Sequence, residues 1–295
     1  MAPKPAHLTA ANASRFQDRS VVDLYHLRLP YPPEVFDILL DLITDEPCTV
    51  LDAGAGTGEL ARRLAERVDR VDAVDVSAAM IARGQALPGA DQPRLRWIVG
   101  PIEDVPLQPP YALIMAGDSV HWMDWDVVFP RFAEMCSPHG FVAIVHRAEL
   151  SPPWQDGVTR LIQQYSTMRD YEPFDLIEQL EQRSLFRIVG RRETATVTSR
   201  QSIADYIASF HSRSSLSRDH MPAADADAFD QQLRTLVQPW SADGLLELRT
   251  VGGVVWGRPQ GGLASMQQMV LDKVPPERSL SEELARERRE EAARE

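Results

Sequence analysis

"LDAGAGTGEL", Leu51 to Leu60, spaces three glycines among small residues, opens on Asp52 and closes on Glu59. Glycine at this density marks backbone that something must approach closely, since no Cβ stands in the way. The residues before it, "CTVLDAG" (48–54), read as a short buried strand stopping at glycine. Those after it, "GELARRLAERV" (58–68), read as a helix with Leu60, Leu64 and Val68 along one stripe. Strand, Gly-x-Gly-x-Gly turn and helix form a nucleotide-type crevice, with free N–H groups at the helix start.

The next strand, "VDAVDVS" (71–77), carries Asp75 near its end, and "SAAMIARGQAL" (77–87) opens a helix. A carboxylate in that place fits a ribose diol, two hydroxyl donors against the two oxygens of one carboxylate. A dinucleotide turn uses Gly-x-Gly-x-x-Gly to hold a pyrophosphate. Here the glycines are Gly54, Gly56 and Gly58, and Asp52 lies just before the turn. A carboxylate so close would repel a pyrophosphate and favour a ligand carrying an ammonium group. Ammonium and ribose together point to S-adenosylmethionine rather than NAD. The competing reading, glycines that only pack a tight turn, is weakened by the strand, the helix and Asp75 around them.

The rhythm continues with "PPEVFDILLDL" (32–42) as a helix before the glycine strand, and with strands at "LRWIVG" (95–100), "YALIMAG" (111–117) and "GFVAIVHR" (140–147). "WDVVFPRFAEMC" (125–136) reads as a helix in which Pro130 argues for a kink or a late start, and "SPHG" (137–140) as a turn. Five short apolar strands, mostly alternating with helices, imply a parallel sheet covered on both faces. Beyond Glu149, helical segments run to about Gln182, "RIVGRRETATVTS" (187–199) is a strand pair or one strand with a turn, and "LLELRTVGGVVWG" (245–257) is the last strand. The final stretch, "PPERSLSEELARERREEAARE", has a capping box at Ser279 and Glu282 and no apolar stripe, which predicts a solvated helical tail.

The 295 residues suit one large domain or a domain with an added lobe. A formal charge of -12 and a pI near 5.1 oppose polyanionic partners, so nucleic acid and anionic membrane surfaces are not expected. Cys48 and Cys136 make neither a disulfide framework nor a zinc site, and the histidines show no metal-ligand spacing, so no metal is expected. "MAPKPAHLTAANASRF" has no apolar core of signal-peptide length, and no later run approaches the ~20 apolar residues of a membrane span. A cytoplasmic protein is expected.

With these motifs in place the sequence resembles the class I S-adenosylmethionine-dependent methyltransferases, nearest the small-molecule branch that includes trans-aconitate methyltransferase-like proteins. "VLDAGAGTG", "VDAVDVSAAM", "GPIEDVPL", "SVHWMD" and "SPHGFVAI" carry the resemblance, which covers about Tyr25 to Gly257. It implies a three-layer α/β sandwich with a Rossmann-like, mostly parallel seven-stranded sheet, the last strand antiparallel, and a small helical lid. The divisions that follow are an N-terminal arm (1–30), the cofactor-binding core (31–150), the lid (151–185), the remaining sheet and helices (186–260) and the charged tail (261–295).

The resemblance also implies roles. Asp52, Gly54, Ala55, Gly56 and Gly58 would form the loop under the methionine part of the cofactor, Asp75 would take the ribose hydroxyls, and Val76 and Met80 would pack on the adenine. The family often has an aspartate after the glycine of "GPIEDVP"; Pro101 stands there instead, leaving Ile102 N–H and Glu103 to meet the ring. Ala116 and Gly117 would lie near the methionine end. Upstream, "YHLRLPYPPEVF" is similar to the family's RPxYPxE segment with Leu29 in place of the first proline, and puts Tyr25, Arg28 and Tyr31 near the cofactor or acceptor.

Methyl transfer needs alignment, exclusion of water and, for a protonated nucleophile, a base. His121, after the fourth strand, is the candidate base or positioning donor. Trp122 and Trp154 are candidate pocket walls, and Arg147 a receiver for an acidic substrate group. The expected activity is methylation of a small organic molecule, with oxygen preferred, by a monomer or homodimer. The alternatives are a protein that binds S-adenosylmethionine without transferring methyl groups, a nicotinamide dehydrogenase, and a nucleic-acid methyltransferase, the last needing a basic face.

Overall fold

The computed structural model describes residues 4–261. Helices α1 (Ala10–Ser14) and α2 (Arg19–Leu24) form an arm ahead of α3 (Glu34–Asp41), which starts after Pro32 and Pro33 and buries Val35, Phe36, Ile38 and Leu39. The doubly wound part follows: β1 (Thr49–Ala53), α4 (Glu59–Leu64), β2 (Arg70–Asp75), α5 (Ala78–Gln85), β3 (Leu95–Val99), β4 (Tyr111–Gly117), α6 (Trp125–Met135) and β5 (Cys136–Glu149). Then come α7 (Gln155–Tyr165), α8 (Leu176–Gln182), β6 (Phe186–Glu193), β7 (Val197–Ser202), α9 (Ile203–Phe210), α10 (Ala223–Val237) and β8 (Leu245–Pro259).

One sheet runs β3-β2-β1-β4-β5-β8-β6, with β7 also on β8. β1 to β5 pair in parallel, and β8 is antiparallel to each neighbour. The chain reverses its direction of winding between β1 and β4, and ligands of open α/β sheets bind at the carboxyl ends of strands at such a point. The sheet has eight strands rather than the expected seven because its edge is divided. β6 pairs with the second half of β8 (Gly253–Pro259) and β7 with the first half (Leu245–Thr250), so the two lie end to end in one direction.

Strand alternation assigns the two faces. Val50, Leu113 and Met115 face α3 and α4, whereas Leu51, Ala53, Ile114 and Ala116 join the core beneath α6. α6 starts at Trp125, where the Asp124 side chain accepts Asp126 N–H, and carries Pro130 inside it, so the expected late start does not occur. It lays Trp125, Val128, Phe129 and Phe132 on the sheet, each large side chain contributing about 1.5–3 kcal/mol by leaving water. "SPHG" is an irregularity within β5, where the pairing passes from Tyr111 with Cys136 to Leu113 with Phe141.

The helices after β5 divide between two cores. α7 packs with α9, α10 and the start of β8 around Val158, Leu161, Phe210, Phe229 and Leu246, forming a cap. α8 instead sets Leu180 beside Phe186 in the main core. The arm joins cap to core: Arg15 donates to Thr167 Oγ1 at 2.7 Å, and Ser77 Oγ donates to the Phe16 carbonyl at 3.1 Å. The charged tail expected beyond residue 261 lies outside the described residues.

Candidate functional site

A cavity of about 270 Å³ lies at the carboxyl ends of β1, β2 and β4. Gly54, Gly56, Asp75, Val76 and Met80 line it from the glycine turn and α5 side. Ile102, Glu103, Gly117, Tyr25 and Trp122 line it from the facing loops and the arm. Gly54, Gly56 and Gly58 all have left-handed φ, +73°, +57° and +72°, which explains the residue type at each.

What approaches the three glycines differs. A Cβ on Gly56 would meet only Tyr25, at 3.6 Å, so its face is open to the cavity. On Gly54 it would fall 2.6 Å from Ser119 Cβ, and on Gly58 2.3 Å from the Trp97 ring. Gly58 lies outside the cavity wall and serves the turn, donating its N–H to the Ala55 carbonyl at 2.8 Å, and the packing of Trp97. The packing reading set aside for the whole motif therefore describes this one glycine.

Asp75 accepts Gly56 N–H and Ser77 N–H, each at 2.7 Å, one on each oxygen. Burial raises its pKa, the two backbone donors opposing, and each oxygen of this wall residue has acceptor capacity to spare. Asp52 is placed differently. It shares the β1 face of Val50, under α4, where Oδ2 accepts Ala61 N–H at 3.2 Å, and burial lifts its pKa to about 7. It pins the start of α4 and lines a small recess of about 20 Å³ with Ala55, Glu59, Tyr31 and Arg147. Ala116 is fully buried on the opposite face, off the cavity.

Tyr31, Glu59, Asp118 and Arg147 make one network. Tyr31 N–H donates to Glu59 Oε1 at 2.9 Å, its hydroxyl to Asp118 Oδ2 at 2.9 Å, and Arg147 Nη1 to Glu59 Oε2 at 2.7 Å. The Arg147 guanidinium also stacks 4.2 Å above the Tyr31 ring. Arg147 is thus committed to Glu59. Arg28 is anchored on the cap, donating to Ser212 Oγ at 2.9 Å and to the Ser212 carbonyl at 2.6 Å, and stacks on Tyr25.

His121 sits on the 3-10 turn Val120–Trp122, its ring 4.9 Å from that of Trp122, and lines neither this cavity nor the polar one beyond Asp118. Burial, with Lys4, His7 and Arg28 nearby, lowers its pKa to about 4, so the ring is neutral at pH 7. Trp154 is buried in the cap, its indole N–H donating to the Tyr206 hydroxyl at 3.0 Å, and supports the wall from behind. Among the described residues, no group of His, Cys, Asp or Glu is arranged to hold a metal ion, and no helix is long and apolar enough to cross a membrane.

Residues 50–140 match the methyltransferase domain family. Over that stretch the chain is similar to the S-adenosylmethionine-dependent methyltransferases of class I. The chain is similar to an uncharacterised methyltransferase of Mycobacterium tuberculosis, 34% identical over 128 residues, which are 43% of this chain and 50% of that protein. It is also similar to the malonyl-[acyl-carrier protein] O-methyltransferase of Pectobacterium atrosepticum, 34% identical over 123 residues, 38% of this chain and 46% of that protein. The matches span about half the length of these relatives. In fold it is similar to a solved structure from Anaeromyxobacter dehalogenans assigned to the type II methyltransferases, with TM-score 0.57, 24% identity and coverage of 79% of this chain and 97% of that one.

Several wall residues of the cavity escaped sequence reasoning. Phe16 and Gln17 come from the arm, where no periodic pattern marks them, and Ser119 follows β4. Asp118 follows β4 directly, and no motif in the sequence marks it. Its φ of 50° and its place between two cavities are visible only in three dimensions.

Proposed function

We propose that the chain transfers a methyl group from S-adenosylmethionine to a small organic molecule, with oxygen as the acceptor atom. The observation that carries this reading is that Asp75, Ile102 and the open face of Gly56 line one cavity at the carboxyl ends of the strands. The donor set fits the cofactor: a carboxylate with spare lone pairs for two hydroxyls, apolar Val76, Met80 and Ile102 for a flat base, and a glycine face without Cβ for the methionine chain. Bound S-adenosylmethionine supplies a sulfonium-activated methyl group, which an acceptor takes by in-line displacement, leaving S-adenosylhomocysteine.

The chain's own part is alignment and exclusion of water. Phe16, Gln17 and Tyr25 of the arm cover the cavity, while Trp122 and Ser119 wall the end near Gly117. Asp118 and Tyr31 separate the cofactor space from the polar space where an acceptor would enter. His121, one residue from the wall, is the group to test as base or positioning donor; its neutral ring is in the protonation state a base needs. An acceptor at oxygen accords with the named reaction of the Pectobacterium relative. The charge of -12 favours a small acceptor over nucleic acid, and the two free cysteines accord with a cytoplasmic location.

The test is a calorimetric titration with S-adenosylhomocysteine and, in parallel, NADH, on wild type, Asp75→Ala and Asp75→Asn. Binding of the first ligand alone, weakened in Asp75→Ala by about tenfold or more, is expected for a lost charge-assisted contact. Thermal melting of both variants separates a lost contact from a lost fold. Binding of NADH instead, or equal binding by all three folded proteins, would sink the assignment.

A further inference from the structure

Beyond Asp118 lies a second cavity of about 240 Å³, between β5, β8, α9 and the segment before α3. Unlike the first it is strongly polar, with Arg28, Arg147 and Arg213 in its wall. Each of the three guanidinium groups lies over a ring: Arg28 over Tyr25 at 4.3 Å, Arg147 over Tyr31 at 4.2 Å and Arg213 over Phe210 at 4.3 Å. Contact with a ring restrains each side chain before any ligand arrives, which reduces the rotamer freedom lost on binding.

The three are not equivalent. Arg147 is neutralised by Glu59, and Arg28 spends Nε and Nη2 on Ser212. The Arg213 guanidinium has no hydrogen bond and no ion pair among the described residues, which leaves its donors available. Burial lowers its pKa and the like charge of Arg28 lowers it further, with Tyr206 and Glu149 opposing. Two polar atoms on the same wall, Glu149 Oε1 and Thr250 Oγ1, are buried without a hydrogen-bond partner. Buried polar groups of that kind are completed by water or ligand.

We infer that this cavity seats the acidic group of the methyl acceptor, so that the substrate is a small organic anion held by Arg213 and Arg28 and presented to the cofactor across Asp118. The inference rests on the methyltransferase reading for the position of the cofactor, but the anion seat is a separate observation. A carboxylate or a phosphate ester would each match a planar guanidinium pair. A hydroxyl or amine beside the acidic group would complete Glu149 Oε1, and a hydroxyl would complete Thr250 Oγ1. The role guessed for Arg147 from its place at the end of β5 passes to Arg213, which the sequence places far along the chain.

The full chain, saturated with S-adenosylhomocysteine, is titrated calorimetrically with succinate and separately with inorganic phosphate. Saturable uptake of at least one is expected, and the one preferred identifies the acidic group as carboxylate or phosphate. Arg213→Gln should bind it about tenfold more weakly, the loss of one charge-assisted fork, with S-adenosylhomocysteine affinity unchanged. Arg191→Gln, an exposed arginine on β6, should bind like wild type. If Arg213→Gln melts early, Arg213→Lys, which keeps charge and loses the fork, should still bind several-fold more weakly. No saturable uptake by wild type, full uptake by the folded Arg213 variant, or equal weakening by Arg191→Gln would overturn the anion seat. Failure of S-adenosylhomocysteine to bind while the anion titration behaves as described would overturn the cofactor reading and leave the seat standing.

Discussion

The Tyr31 hydroxyl donates to Asp118 Oδ2 at 2.9 Å and so fixes the partition between the two cavities. Asp118 stands at φ 50°, a region seldom used by residues other than glycine, and its N–H donates to the Val145 carbonyl at 2.9 Å. Backbone in that region persists only where its surroundings hold it. Tyr31 and Arg147 are those surroundings, from the segment before α3 and from β5.

Tyr31→Phe keeps the ring under Arg147 and removes one donor to a largely buried carboxylate. Leaving that acceptor short should cost about 1–2 kcal/mol of stability, read from urea unfolding at pH 7. Burial already raises the Asp118 pKa, with Arg147 and the Tyr31 hydrogen bond opposing it, so losing the bond should raise it further. A variant as stable as wild type would show that Arg147 alone holds Asp118.

The glycine turn separates into a ligand face and a packing face. Gly58→Ala would drive a Cβ into the Trp97 ring, 2.3 Å away, at φ +72°, whereas Gly56→Ala is strained only by its φ of +57°. The left-handed conformation alone costs about 1–2 kcal/mol for a residue with Cβ. Gly58→Ala should therefore lower the melting temperature more than Gly56→Ala. Gly56→Ala should lose the greater part of S-adenosylhomocysteine affinity at equal folded fraction. The reverse order in either measurement would reassign the two glycines.

Much of this was legible in the sequence because β1, α4 and β2 each carry their own period and are joined by a turn that only glycine permits. A strand pair at 187–199 was one of two readings, but its end-to-end placement was not legible, because β8 alone sets it: a fifteen-residue strand offers one edge long enough for two shorter partners. Side-chain direction was harder still. Asp52 seemed to face the ligand because it precedes the turn, but strand alternation points it under α4. Arg213 follows α9 with no motif around it, and its cavity exists only once the cap has folded over β5 and β8.

Asp52 gives the fold a pH dependence of known sign. Its carboxyl holds a proton up to about pH 7 when folded, against the ordinary range near 4 for an exposed aspartate, because of burial, with Asp75 adding to it. The unfolded chain releases that proton first. Between about pH 4 and 7 the folded state binds more protons, so stability from this group is greatest at low pH and falls as pH rises through that window. The shift sets an upper bound of about 4 kcal/mol, and solvent relaxation will reduce it. Asp52→Asn should flatten the decline in unfolding free energy between pH 5 and 8. An unchanged slope in the variant would assign the dependence to other buried carboxyls.

His121 titrates in the opposite sense. Burial lowers its pKa to about 4 from an ordinary value near 6.5, with Lys4, His7 and Arg28 contributing positive charge. The unfolded chain takes up a proton first as pH falls, so the stability from a neutral His121 is present above about pH 6.5 and is lost between there and about pH 4. An NMR titration of the histidine rings, with His121→Asn to assign the signal, should find His121 neutral down to about pH 5. A base with so low a pKa accepts a proton weakly, so the ring acts best on an acceptor that is already ionised or nearly so, as a small organic acid is. His121→Asn should then reduce methyl transfer to such an acid by about tenfold or less, below the range usual for removal of a general base. A loss of a thousandfold, following a single pKa near 6.5, would restore His121 as the proton acceptor and exclude the neutral ring described here.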